Sequence, residues 1–378
     1  MSKKSLIEAY KGKNVYITGI TGFKGSWMAL MLHHLGANVS GIGLEPEDED
    51  SIFYTARVDE IADVVISDIT APADESLFVS SVYKANPDYI FHMAAQPLVS
   101  EGYKNPYTTF HTNIMGTVIL HEILRGLKLP ANKEALNENR GFQDECNEVL
   151  CKKISMINVT TDKVYREEPR ALVEDDVLFG FDPYSLSKSC SDMISQAYRD
   201  AMGSEHYIST MRAGNVIGGG DMAANRIIPD IVRAAEVKGE VELRSPHSVR
   251  PYQHVFDAIN AYLIIAAKQV KDPSLQGEWN VGPDKNQTME THELADKMME
   301  YLPFTWKAGG GSIGKENDYL VLDNTKIKNE GWVPAYATND EVVKAVSLWY
   351  NNYMKGDDMQ SFTLKQIEEA FESYDKNC

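Results

Sequence analysis

Short β-branched and aromatic runs alternate along the chain with stretches whose apolar residues recur at helical spacing. Asn14–Thr18, Asn38–Gly43, Val64–Ser67, Asp88–His92, Ile154–Val159 and Tyr207–Met211 read as buried strands. Ser26–Leu35, closed by Gly36, reads as a helix, as do Pro106–Leu127 and Pro183–Ala201. Such alternation predicts an α/β fold with a doubly wound, mostly parallel sheet. Ligands of these sheets bind outside the carboxyl ends of the strands. That rule gathers Ala94-Ala95-Gln96, Thr161-Asp162-Lys163 and Tyr184 around one crevice.

Two stretches interrupt the rhythm. Pro130–Lys153 is polar and rich in Asn, Glu and Lys, which suits a solvated surface insertion or a partner-binding one. The last third carries strand-like Val241–Arg244 and Glu278–Gly282 and a flexible turn at Gly309-Gly310-Gly311. The expected division is a dinucleotide domain over 1–214, with a return segment at about 250–283. A smaller mixed α/β substrate domain then takes 215–249 and 284–378.

The first strand runs straight into Gly19-Ile20-Thr21-Gly22-Phe23-Lys24-Gly25, and a helix follows at once. Strand, glycine turn and helix form the Rossmann dinucleotide arrangement. The glycines let the backbone approach a pyrophosphate, and the helix N-terminus faces its charge. Gly19, Thr21, Gly22, Phe23, Lys24 and Gly25 are therefore the predicted cofactor cradle, joined by Ala94, Ala95 and Gln96 across the crevice. The spacing is Gly-x-x-Gly-x-x-Gly rather than Gly-x-Gly-x-x-Gly.

Tyr184 and Lys188 stand four apart on a predicted helix, so they share a face. A phenol ordinarily holds its proton to a pKa near 10. A neighbouring ammonium is expected to lower that and make Tyr184 an acceptor for an alcohol proton. Asp182 and Pro183 read as the cap and first residue of this helix.

Composition narrows the function. The 378 residues carry a net charge of −18, which argues against a general nucleic-acid or anionic-membrane binder. No apolar run is long enough to span a bilayer, and no secretory signal precedes the first strand. Cys146, Cys151, Cys190 and Cys378 form no Cys-x-x-Cys pair, so no zinc or redox motif is expected; free thiols in a reducing cytoplasm are. Glu45 stands roughly where an acidic residue would hold cofactor ribose hydroxyls, and no arginine nearby would welcome a 2′-phosphate. NAD is favoured over NADP on that charge argument, although Glu45–Asp50 also reads as a solvated acidic run.

These residues resemble the extended short-chain dehydrogenase/reductases that act on nucleotide sugars, most closely the CDP-glucose 4,6-dehydratases. The resemblance rests on Thr18–Trp27, Phe91–Val99, Thr112–Thr117, Thr161–Tyr165, Asp182–Lys188, Arg212–Asp221 and Arg250–Val255, and so spans nearly the whole chain. It implies C4 oxidation of an NDP-hexose, water elimination across C5–C6 and hydride return to C6, with no net redox change. Tyr184 would take the C4 hydroxyl proton, Lys188 would hold the cofactor ribose, and Thr161 would bond the C4 oxygen. Asp162 would be the acid at C6. Lys163 would be either the base at C5 or a positive charge that stabilises an enolate. Asp68 and Ile69 resemble the adenine contact. Asn215, Arg226 and Arg250 are candidates for the substrate's diphosphate and nucleotide, with a structural ion pair the alternative for each arginine. The resemblance further implies a cytoplasmic homodimer, assembled through Tyr107–Leu127 and Ser185–Ala201, in deoxysugar biosynthesis for lipopolysaccharide O-antigen. Those helices' apolar residues also suit a core. The short Arg166–Pro169 segment depart from the family pattern, as do Met222 and Tyr252 where tryptophan is common. A GDP-mannose- or GDP-heptose-type dehydratase is the rival, and a nucleotide-sugar 4-epimerase the next.

Overall fold

The computed structural model describes residues 1–71, 75–126, 152–285, 287–310 and 320–378. Its first six strands are β1 (Asn14–Thr18), β2 (Asn38–Gly43), β3 (Asp63–Ile66), β4 (Tyr89–His92), β5 (Ser155–Thr160) and β6 (Tyr207–Ala213). Beyond them come β7 (Val216–Ile217), β8 (Glu240–Leu243), β9 (Val249–Arg250), β10 (Gln253–His254), β11 (Glu278–Val281), β12 (Met289–Glu290) and β13 (Thr305–Ala308). β11 returns to pair with β6, which completes a seven-stranded sheet in the order β11-β6-β5-β4-β1-β2-β3. Every pairing in it is parallel. The doubly wound Rossmann-type sheet expected from the alternation is therefore present. Between β1 and β4 the strand order reverses, and the crevice at their carboxyl ends is where such folds hold ligands.

The longer helices are α1 (Lys3–Tyr10), α2 (Phe23–His34), α3 (Glu75–Ala85), α4 (Gly116–Gly126), α5 (Pro183–Gln196), α6 (Ile227–Glu236), α7 (Val255–Lys271), α8 (Asn339–Met354) and α9 (Met359–Asn377). α2 and α7 are buried almost all round, as helices without a polar face must be. Each fully buried Ile, Leu or Phe on them stabilises the fold by about 1.5–3 kcal/mol. Strand edges differ from the sequence reading by a residue or two, β3 beginning at Asp63 rather than Val64. The helix expected over 106–127 resolves into Pro106–Phe110, a wide π-type turn at His111–Met115, and α4. Likewise Ala197–Ala201 continues α5 as a wider turn. Nearly all of the polar Pro130–Lys153 stretch lies outside the described residues, as do Leu127, Cys146, Cys151 and Gly311. Among the described residues, no helix is long and apolar enough to cross a membrane.

The end of the chain folds back onto its beginning. Phe371 on α9 stacks on His34 of α2 with centroids 6.1 Å apart, and Lys3 pairs with Glu368. α8 locks onto the Gly218-Gly219-Gly220 segment. A Cβ at Gly219 would lie 2.0 Å from the Trp349 ring, and the Gly219 carbonyl accepts from Trp27 Nε1 at 2.9 Å. Only a residue without a side chain fits there.

Candidate active site

β1 delivers the chain to a turn that only glycine can make. Gly19 has φ +75°, and a Cβ on Gly25 would lie 2.0 Å from the Gly19 carbonyl. The α2 backbone thus packs directly over the turn, with its first amides open to the crevice. Across from it, Thr18 Oγ1 accepts from the amides of Met93 and Ala94 at 3.1 and 3.2 Å and meets His92 Nδ1 at 2.7 Å. This ties the end of β4 to the end of β1. β5 leads into Thr161-Asp162-Lys163, and α5 brings Tyr184 and Lys188 beside it. Asp182 caps α5 as predicted, accepting from the Ser185 amide at 3.1 Å, with Pro183 first in the helix.

These pieces surround a cavity of about 710 Å³. Gly19, Thr21, Gly22, Phe23, Lys24, Gly25, Asp68, Ile69, Ala94 and Ala95 line one end of it. Thr161, Asp162, Lys163, Tyr184, Lys188, Asn215, Arg226 and Arg250 complete the set of predicted residues in its wall. Gln96 is the exception. Its amide donates to Thr109 at 2.7 Å, its carbonyl accepts from the Leu98 amide, and its backbone is gripped by Asn113. It shapes the loop instead of facing the cavity. Asn113 sits in the π-type turn and also donates to Ser187 on α5 at 2.8 Å, so that irregular turn fastens the crevice loop to the tyrosine helix. Glu45 does not reach the wall either: Gly43 and Leu44 do, while its carboxylate accepts from the Tyr54 hydroxyl.

The electrostatics depart from expectation at Tyr184. Burial pushes its phenol up to about 12, the hydrogen bond with Thr161 pulls the other way, and Asp162 adds to the rise. The Lys188 ammonium donates to the Val159 carbonyl at 3.0 Å. Lys188 itself is pushed down to about 7 by burial and then by Lys24. Lys24 falls to about 8 through burial and the Arg226 charge, with Asp162 and Asp221 opposing. Asp162 is buried and accepts from Thr161 Oγ1 at 2.8 Å, with Asn215 Nδ2 at 3.5 Å. Arg226 pairs with Asp221 at 2.8 Å yet still lines the cavity, so the ion-pair and cavity readings hold together.

Several wall residues were missed by the sequence reading: Asp221, Arg244, Ser245, Ser248 and Thr291. Asp221 closes the Gly-Gly-Gly-Asp element, and Arg244 follows β8, so the motif and the strand-end rule pointed to those two. Ser248 and Thr291 meet through the β9–β12 pairing, which no local pattern announces.

Residues 16–345 match the family described as GDP-mannose 4,6 dehydratase. A CDP-glucose 4,6-dehydratase of Salmonella typhimurium (strain LT2) is 33% identical, over 95% of this chain and 96% of its own. The dTDP-glucose 4,6-dehydratase of Shigella flexneri is 23% identical, over 95% and 99% respectively. Among solved structures, the UDP-glucose-4-epimerase of Stenotrophomonas maltophila with bound NAD and formylated UDP-arabinopyranose superposes with a TM-score of 0.72. It is 19% identical, over 91% of this chain and 99% of that one.

Proposed function

The chain belongs to the GDP-mannose 4,6 dehydratase family, and from that membership we propose that it converts CDP-D-glucose to the CDP-4-keto-6-deoxy sugar. It is a hydro-lyase of the nucleotide-sugar 4,6-dehydratase type, and NAD is its cofactor. The observation that carries the reading is one cavity walled both by the Tyr184–Lys188 face of α5 and by the Asp162-Lys163 pair after β5. An epimerase needs the first and has no use for the second. The glycine turn, the exposed start of α2 and the Asp68-Ile69 corner suit a dinucleotide. Those residues would hold NAD, which would supply the acceptor and donor of the hydride exchanged with the sugar. We divide the chain into a dinucleotide part, 1–214 with the 250–283 return, and a substrate part made of the rest.

Tyr184 accepts the C4 hydroxyl proton, with Thr161 beside it to bond the same oxygen. Burial holds this phenol up, and the hydrogen bond with Thr161 and the Arg226 charge pull the other way. Asp162 serves as the acid for the departing C6 hydroxyl, and Lys163 takes the proton from C5, which the 4-keto group has made acidic. Asn215, Arg226 and Arg250 face the diphosphate and nucleotide. Asp162 keeps its place because Gly214 gives it room: a Cβ there would lie 1.8 Å from Asp162 Oδ2. Gly214→Ala should displace the carboxylate and lower kcat by about a hundredfold, the usual penalty for an ångström of misplacement. An alanine variant with full kcat would remove Asp162 from the elimination step.

Exposed apolar residues on the same helices, Leu186 and Met193 on α5 with Tyr107 and Met115 nearby, support a homodimer through this face. The reading includes a cytoplasmic location, with which the free thiols of Cys190 and Cys378 agree.

The test is incubation with CDP-glucose, GDP-mannose, dTDP-glucose and UDP-glucose in a trace of NAD⁺, followed by mass spectrometry. CDP-glucose should lose one water over many turnovers without NADH building up. Stoichiometric NADH would make the protein a net dehydrogenase, and an isomer without water loss would make it an epimerase.

A further inference from the structure

Next in sequence to Ser248 and Thr291 of the cavity wall, two imidazoles and a carboxylate meet at one point. β9 and β12 pair antiparallel, Val249 opposite Glu290 and Arg250 opposite Met289. His247 lies just before one strand and His292 just after the other. The backbone fixes the register, since the His292 amide donates to the Pro246 carbonyl at 2.9 Å and the Thr291 amide to Ser248 at 3.1 Å. One carboxylate oxygen, Glu290 Oε2, lies 2.8 Å from His247 Nδ1 and 3.0 Å from His292 Nε2. All three potential ligand atoms fall within 4.8 Å of one another. The rings stand at 73°, so the two nitrogens converge on the carboxylate without the rings colliding.

We propose that His247, Glu290 and His292 bind a divalent transition-metal ion of the zinc class. Zinc takes such ligands at about 2.0–2.1 Å, which puts tetrahedral ligand atoms about 3.3 Å apart, so the side chains need move only slightly. Two nitrogen ligands favour this class over magnesium or calcium, which take oxygen. The free nitrogen of His292 is already oriented. Its Nδ1 faces Asp296 Oδ2 at 3.4 Å, and the other Asp296 oxygen accepts from Trp306 Nε1 at 2.7 Å. A carboxylate behind a histidine is how metal ligands are held in the right tautomer and direction. The fourth position opens to solvent beside His247, whose side chain is 80% exposed. The net charge of −18 favours cation capture.

The ion would tie together the two segments that put Ser248, Arg250 and Thr291 into the cavity wall. It is thus a clip on the substrate pocket, separate from the reacting groups.

The experiment is a calorimetric titration of the NAD-loaded chain with zinc chloride after its thiols have been alkylated. One equivalent should bind with a micromolar Kd. His247→Ala, at an exposed position that the fold does not depend on, should weaken binding at least tenfold, and Asp296→Asn by about ten- to a hundredfold. Saturating zinc should lower KM for the nucleotide sugar in the wild type, leave kcat unchanged, and do neither in His247→Ala. Equal zinc binding by wild type and His247→Ala, or none below millimolar, overturns the site. Zinc bound at His247 with KM unmoved overturns its coupling to the pocket wall.

Discussion

Replacing Tyr184 by phenylalanine should lower turnover by about a hundred- to ten-thousandfold, the range a positioned proton acceptor contributes. The ring stays, so packing stays. Tyr184 is 8% exposed and its backbone lies against Gly102, where a Cβ would be 3.1 Å from the Tyr184 amide. The hydroxyl is what the cavity sees, beside Thr161 and Asp162. Without it the C4 proton has no acceptor, and hydride transfer is impaired along with everything after it. Single-turnover cofactor reduction and product formation should therefore fall together in Tyr184→Phe. Asp162→Asn should behave differently: reduction persists while loss of water stalls, because the missing group serves C6. Unimpaired cofactor reduction in the phenylalanine variant would falsify the role given to Tyr184. Lys163→Met tests the third role by the same logic. Slow C5 exchange with the 4-keto species accumulating identifies the base, and normal exchange returns Lys163 to charge stabilisation.

Arg212→Met should destabilise the fold by about 3–5 kcal/mol, the cost of leaving a buried charge without its partner. Arg212 and Asp192 are 1% and 0% exposed and bond through two parallel contacts of 2.9 Å. Arg212 also donates to the Tyr165 hydroxyl and the Glu174 carbonyl, both at 2.7 Å, and lies 4.9 Å from the Tyr165 ring centre. Asp192 accepts from Thr160 and from Gln196 as well. Methionine keeps much of the volume and none of the charge. Urea unfolding should show the loss, and the added change Asp192→Leu should recover most of it, because a hydrophobic pair of similar size is often no worse than a buried ion pair. A single variant within about 1 kcal/mol of wild type would mean that the aspartate finds other compensation. The pair also joins the helix of Tyr184 and Lys188 to β6, and Asp192 accepts from Thr160 beside the Thr161-Asp162-Lys163 turn, so Arg212→Met should reduce kcat even at temperatures where it is folded.

The strands were legible because they are short apolar runs closed by turn residues, whereas their order across the sheet rests on long-range pairing that no local pattern states. The glycine turn, the cap at Asp182 and the strand-end residues were legible for the same reason: each is a local pattern with a local cause. Gln96 was not, since the rule that places a loop at a crevice does not say which way a side chain turns, and Thr109 with the Leu98 amide draws this one inward. Glu45 failed similarly, captured by Tyr54. The direction of the Tyr184 shift was misjudged because helical spacing reports that Lys188 is near and says nothing of burial. Burial dominates both groups, and the Val159 carbonyl holds the ammonium. Ser248, Thr291 and the His247–His292 cluster depend on a strand pair separated by some forty residues of chain, which no window along the sequence spans.

The contact between Gly219 and Trp349 bears on recombination between relatives. Substrate preference in this family invites chimaeras that graft one protein's C-terminal segment onto another's dinucleotide half. A crossover after β6 would carry the glycine and the tryptophan together from one parent. A crossover between α7 and α8 would separate them, and a parent with any side chain at the glycine position would drive it into the indole and push α8 away from the Gly218-Gly219-Gly220 segment. Hybrid libraries should therefore tolerate junctions before residue 218 far better than junctions between 272 and 338, whatever the overall similarity of the parents.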